Sequence, residues 1–248
     1  MKRPELGKKN DNSPGFSLVE LSIVLIIIGL LAGPFFTYLS LYYKEKAHRE
    51  TLENLNSVSQ ALSAYFKDNG HYPCPAPRAY GPESSQAGIE SECLGAHPKN
   101  KGVSVSVKRS GCSKGLCTVK SKTRLEDYKD LEDINQSIKI GGIPYRSLGI
   151  PYTKTIDGYG NKITYAVTER YATPDYKIHL GAISIKNAQG ESVITPPGSA
   201  QFILVSHGED GKGAYSRQGV QNLLPCYPLE GKDSENCDLD GEFLSAPL

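Results

Sequence analysis

Between Glu20 and Lys44 the sequence carries no charged residue. As a helix, about 23 residues rising 1.5 Å each reach roughly 35 Å, enough to cross a bilayer core of about 30 Å. A helix apolar on every side is covered by lipid or by other apolar helices rather than by water. The block is entered past a lone carboxylate, Glu20, and a charge costs about 2.5 kcal/mol or more toward the centre of a membrane. Ahead of it stand Lys2, Arg3, Lys8 and Lys9 against Glu5 and Asp11, closing on Pro14-Gly15. That positive excess keeps the N-terminus cytoplasmic and sends the rest of the chain across the membrane. An ordinary secretory signal is instead cut after its apolar core, at a small-residue site.

The octet Pro14-Gly15-Phe16-Ser17-Leu18-Val19-Glu20-Leu21, with the apolar run behind it, resembles the type IV pilin and type II secretion pseudopilin family. The resemblance implies cleavage by prepilin peptidase between Gly15 and Phe16 and N-methylation of the new Phe16 amine. It implies that Glu20 lies near the N-terminal amine of a neighbouring subunit in a filament. A buried ion pair of that kind holds only when both charges are satisfied, so Glu20 sets the assembly register. The expected division is a leader at 1–15, a transmembrane and assembly helix at 16–43, and a periplasmic pilin-like globular domain at 44–248. Implied partners are the peptidase, other pilin or pseudopilin subunits and an inner-membrane assembly platform.

The long helix is expected from Phe16 to about Asp68, with Gly29 and the pair Gly33-Pro34 interrupting its apolar half. Beyond Lys44 it turns amphipathic: Leu52, Leu55, Val58, Leu62, Tyr65 and Phe66 recur at spacings of three and four, predicting a stripe against a globular core. Asn69-Gly70 supplies the stop. His71-Tyr72-Pro73-Cys74-Pro75-Ala76-Pro77 then forces an extended exit, and a Tyr-Pro pair here is a common feature of pseudopilin-like chains. Residues from about 78 to 135 read as a cysteine-containing, loop-rich insertion, with one short strand at Val103–Val107 and a hairpin-like turn at 110–119. Strands are expected at Ile138–Ile143, Ile163–Thr168, Ile178–Ile185 and Gln201–Ser206. The turn Asp157-Gly158-Tyr159-Gly160-Asn161 and the loop Ser206-His207-Gly208-Glu209-Asp210-Gly211 resemble pseudopilin elements, although Tyr159 stands where tryptophan is usual. The fold class is therefore α+β, a long N-terminal helix on an antiparallel sheet of about four strands, with a surface flap at 225–248.

Six cysteines, Cys74, Cys93, Cys112, Cys117, Cys226 and Cys237, all follow the apolar block. An even number on one side of a membrane points to disulfides in an oxidising compartment. Connectivity is open. Short-loop closure favours Cys112–Cys117 and Cys226–Cys237, which leaves Cys74–Cys93. Zinc would need a second ligand pair beside Cys112 and Cys117, and none stands at that spacing. Calcium has better donors: Glu209 and Asp210 in one glycine-rich loop, and Asp238, Asp240 and Glu242 in another. Apart from that possible calcium no cofactor is expected.

No catalytic residue is assigned. The chain has no Gly-x-Ser-x-Gly elbow, no His-Glu-x-x-His pair and no phosphate-binding glycine loop, and His207 beside Glu209 and Asp210 reads as a turn after a strand. The formal net charge of +1 offers no general attraction to nucleic acid. The basic run from Lys99 to Arg124 reads as a solvated loop and leaves DNA-uptake pilin as an alternative. The main expectation is an assembly subunit, a minor pilin or pseudopilin. From another class stands a membrane-anchored periplasmic binding domain that never polymerises.

Overall fold

The computed structural model describes residues 17–93, 111–120, 137–174, 181–222, 236 and 241–245. The chain divides into two units, Met1–Glu45 and Lys46–Leu248. Helix α1 (Leu18–Asn69) supplies the described part of the first unit and continues into the second. In the first unit its large apolar side chains, among them Leu18, Ile26, Leu30, Phe36 and Leu41, are exposed. Pro34 lies inside α1 without ending it, although a proline in a helix interior costs about 3 kcal/mol through its missing amide donor.

In the second unit α1 buries Thr51, Asn54, Val58 and Leu62. The expected apolar stripe is thus partly wrong: Leu52 is 46% exposed. The helix is turned so that two polar side chains meet a loop backbone. Asn54 Nδ2 donates to the Ile156 carbonyl at 2.8 Å, and the Gly158 amide donates to Thr51 Oγ1 at 2.9 Å. The Thr51 hydroxyl in turn donates to the Ala47 carbonyl at 2.8 Å. Buried backbone groups demand partners, and that demand outweighs the burial of one more leucine. Gly158 must be glycine here, because a Cβ would stand 2.0 Å from the Ala47 carbonyl oxygen.

Gly70, at φ +77°, stops the helix, and the chain leaves as a buried extended segment from Tyr72 to Arg78. Ala76 exchanges both backbone hydrogen bonds with Gly142, at 2.9 and 2.7 Å. The approach is close enough that a Cβ on Gly141 would lie 2.6 Å from the Ala76 carbonyl oxygen.

Strands β1 (Gly111–Ser113), β2 (Leu116–Lys120), β3 (Ser137–Gly142), β4 (Thr164–Thr168) and β6 (Phe202–Val205) form a five-stranded sheet in the order β1-β2-β3-β4-β6. All four pairings are antiparallel. The hairpin β1–β2 falls inside the supposed insertion yet extends this sheet, because Leu116, Cys117 and Thr118 are buried against it. Strand β5 (Ser184–Lys186) pairs in parallel with β7 (Glu242–Leu244) in a separate small sheet. Two further expectations change accordingly. The segment ending at Ile185 does not join the main sheet, and the C-terminal flap contributes Phe243, 1% exposed, to the core. The strand at Val103–Val107 lies outside the described residues.

β4 is buried along its length because it is covered on both faces. Tyr165 and Val167 meet Val58 and Leu62 of α1 on one side. Ala166 meets Ile138, Ile140, Ile183 and Phe243 on the other. The second unit is α+β: half-helix, five-stranded sheet and a β5–β7 layer.

Candidate functional site

The start of α1 is built by Ser17 and Glu20. The Ser17 amide donates to Glu20 Oε2 at 2.9 Å, the Val19 amide donates to Ser17 Oγ at 3.3 Å, and the Leu21 amide donates to the Ser17 carbonyl at 3.1 Å. This is a serine N-cap with the glutamate reaching back, a variant of the capping box. Ser17 serves the Val19 amide, Glu20 serves the Ser17 amide, and the carboxylate faces the positive end of the helix dipole. Sequence reading singled out Glu20 but missed Ser17, although Ser-x-x-Glu before an apolar run is the signature of the motif. Gly15 and Phe16 lie outside the described residues. Past the cap, α1 is the one helix among the described residues long and apolar enough to cross a membrane, and its most apolar window buries nothing.

Among the described residues two disulfides tie the second unit. Cys74 joins Cys93, with Cα atoms 6.1 Å apart, beside the chain's exit from α1. Cys112 joins Cys117 directly across β1 and β2. Cys226 and Cys237 lie outside the described residues.

The turn Asp157–Asn161 and the loop after β6, read separately as motifs, meet in space. Asp157 Oδ1 accepts the amides of Tyr159 and Asn161 at 3.0 and 2.9 Å, and its Oδ2 accepts the Ser206 hydroxyl at 2.8 Å. Burial pushes the Asp157 carboxyl up, and hydrogen bonds from Asn161, Ser206 and Tyr159 pull it back only in part. With Ile156 and Gly158 bonded to α1, this turn joins helix, β4 and β6 loop at one place.

The candidate calcium ligands do not converge among the described residues. Asp210 pairs with Lys212 at 2.7 Å, and Glu242 pairs with Lys186 at 2.8 Å on the far sheet. Burial raises the Asp210 carboxyl, but the Lys212 hydrogen bonds and charge prevail and hold it below the usual range. Glu209 is exposed, and Asp238 and Asp240 lie outside the described residues. No described group of three His, Cys, Asp or Glu residues is placed to share a metal. His207 Nε2 sits 2.9 Å from Thr164 Oγ1, a hydroxyl on a residue 2% exposed. Of the basic run in the insertion, Lys114 donates to the Tyr80 hydroxyl at 2.8 Å and Lys120 is exposed. The other members lie outside the described residues.

The sequence from residue 10 to residue 36 matches the model of the prokaryotic N-terminal methylation motif. The chain's N-terminal segment carries that methylation motif. The chain is also similar to type II secretion system core protein G of Escherichia coli (strain K12), 36% identical over 67 residues. That match covers 27% of this chain and 46% of the relative, so the chain spans about half the length of the curated protein it resembles. No solved structure matches. The capped carboxylate Glu20 and the exposed apolar start of α1 lie within the matched residues.

Proposed function

We propose that this protein is a non-enzymatic assembly subunit, a pilin or pseudopilin that is anchored in the inner membrane and then packed into a filament by its apolar helix. The observation that carries this reading is the motif over residues 10–36 ending in a helix whose apolar window buries nothing. Exposed apolar area stabilises association at about 25 cal/mol per Å² once covered, so such a helix needs lipid or neighbouring helices. The basic leader supports a cytoplasmic N-terminus, cut after Gly15, and a periplasmic C-terminal domain. Glu20, held by Ser17 in the single chain, exchanges that partner for the methylated Phe16 amine of a neighbour. The β1–β2 hairpin and the disulfides supports a specialised, minor subunit over a bulk one.

Two measurements test this. Intact-mass analysis with N-terminal mapping, on protein from its native membrane, is expected to give a chain starting at methylated Phe16. A chain still starting at Met1 overturns processing and leaves an anchored binding domain. Glu20→Ala is expected to give cleaved, membrane-inserted protein that does not enter filaments. Normal filament entry by that variant refutes the register role.

A further inference from the structure

Two cations are buried side by side where the chain leaving α1 crosses the end of β4. Arg78 is 2% exposed and Lys162 is 6% exposed. Arg78 donates from Nε to the Gly115 carbonyl and from Nη1 to Thr164 Oγ1, both at 2.9 Å, and its guanidinium lies 4.7 Å from the centre of the Tyr215 ring. Lys162 Nζ donates to the carbonyls of Arg78 (2.7 Å) and Tyr80. Neither makes an ion pair with a described carboxylate. Lys162 Nζ has its two carbonyl acceptors, and Arg78 Nη2 has no described acceptor but is not a fully buried atom. Buried charges are ordinarily paired, because an uncompensated one costs several kcal/mol. Here two like charges lie close together, and carbonyl dipoles, the Thr164 hydroxyl and the Tyr215 ring offset them without a carboxylate.

A small cavity adjoins both. It measures about 20 Å³ and is bounded by Arg78, Lys162, Tyr80, Tyr145, Tyr152 and Gly142 among others. A single water needs roughly 10–15 Å³ on this measure, so the space takes about one body of that size. Its lining includes two cations and three tyrosines and no carboxylate; the Tyr152 hydroxyl already donates to the Arg217 carbonyl, and the Tyr80 hydroxyl accepts from Lys114. We propose that this cavity is a binding site for one monatomic halide anion, held between Lys162 and Arg78. The anion supplies the countercharge that the protein withholds and locks the Tyr72–Arg78 exit strand to β4. This site lies within the globular unit and is independent of filament assembly.

The test is thermal unfolding of the full chain in detergent, at fixed ionic strength, with sodium gluconate replaced stepwise by sodium chloride or bromide. The expected result is a rise in Tm of roughly 4 °C that saturates with halide; general salt effects do not saturate. Lys162→Met is expected to fold and lose the response. Crystals of the wild-type protein grown in bromide are expected to show an anomalous peak within hydrogen-bond reach of Lys162 Nζ. Equal Tm in gluconate and chloride overturns the site, as does a full halide response in Lys162→Met. A cavity without a bromide peak does so too, and that reading needs no variant to fold.

Discussion

Lys162 should leave a signature in the pH dependence of stability. Burial, reinforced by the charge of Arg78, lowers its pKa from 10.5 to about 8. Between those values the unfolded chain keeps a proton that the folded chain has released. Unfolding then takes up protons, so raising the pH stabilises the folded state, by up to about 1.4 kcal/mol per pH unit. Integrated from pH 7.5 to 9.5, the gain is about 1.5–2 kcal/mol. Tyr65 and Tyr152, both pushed up to about 12 mainly by burial, act in the opposite sense as the pH rises through 10. Arg78, lowered to about 10 by burial, acts in the same sense as Lys162 but above this window. The assay is denaturant unfolding of the full chain in halide-free detergent buffer, at half-unit steps of pH, for wild type and Lys162→Met. Subtracting one curve from the other cancels the tyrosines and isolates the lysine. A wild-type gain in that window that vanishes in Lys162→Met is the expected outcome. Equal slopes in the two proteins, or a wild-type curve that falls from pH 7.5 to 9.5, refute the account of a charge buried without a countercharge.

Other substitutions test the packing. Asn54→Ala strands the Ile156 carbonyl and is expected to cost about 1–3 kcal/mol, whereas Leu52→Ala, three-dimensionally close but exposed, costs within about 0.5 kcal/mol; equal losses by chemical denaturation would contradict the observed helix rotation. Gly158→Ala is expected to lower Tm by more than Gly149→Ala, because only the first places a Cβ against backbone. Replacing Cys74 and Cys93 together by serine opens a loop of sequence separation 19 and should cost about 3 kcal/mol in the chain-entropy account. Calcium or chelator is expected to leave Tm unchanged, since Asp210 and Glu242 already hold lysines; a calcium-dependent rise would reinstate those loops as ligands.

What was legible in the sequence followed from long, strong patterns. The uncharged run to Lys44 and strands β3, β4 and β6 announced themselves because each pattern repeats over several residues, and Asn69-Gly70 is a strong local stop. The hairpin-like turn at 110–119 was legible, but its strands are short and their burial depends on β3, so local periodicity could not show that they extend the main sheet. Thr51 and Asn54 were hidden for another reason. A buried polar residue looks like a surface residue until the backbone group it serves is in place, and Ile156 is about a hundred residues away. Arg78 and Lys162 carried no signal at all, since single cations in a sequence are read as solvated. At the N-terminus the opposite happened: Ser17-x-x-Glu20 was visible, and attention to the carboxylate alone obscured its local partner.

The joint between α1 and the loop at 156–158 behaves as a keyway. A seam made only of leucine and valine tolerates a slide of one helical turn, about 5.4 Å, because the next apolar residue fills the vacated place. Asn54 on Ile156 and Thr51 on Gly158 admit no such substitute, and the missing Cβ of Gly158 is cut to fit Ala47 alone. The half-helix therefore has one seat on its sheet, fixed along its axis and about it. Apolar contacts of Val58 and Leu62 supply the grip, and the polar pair decides the notch.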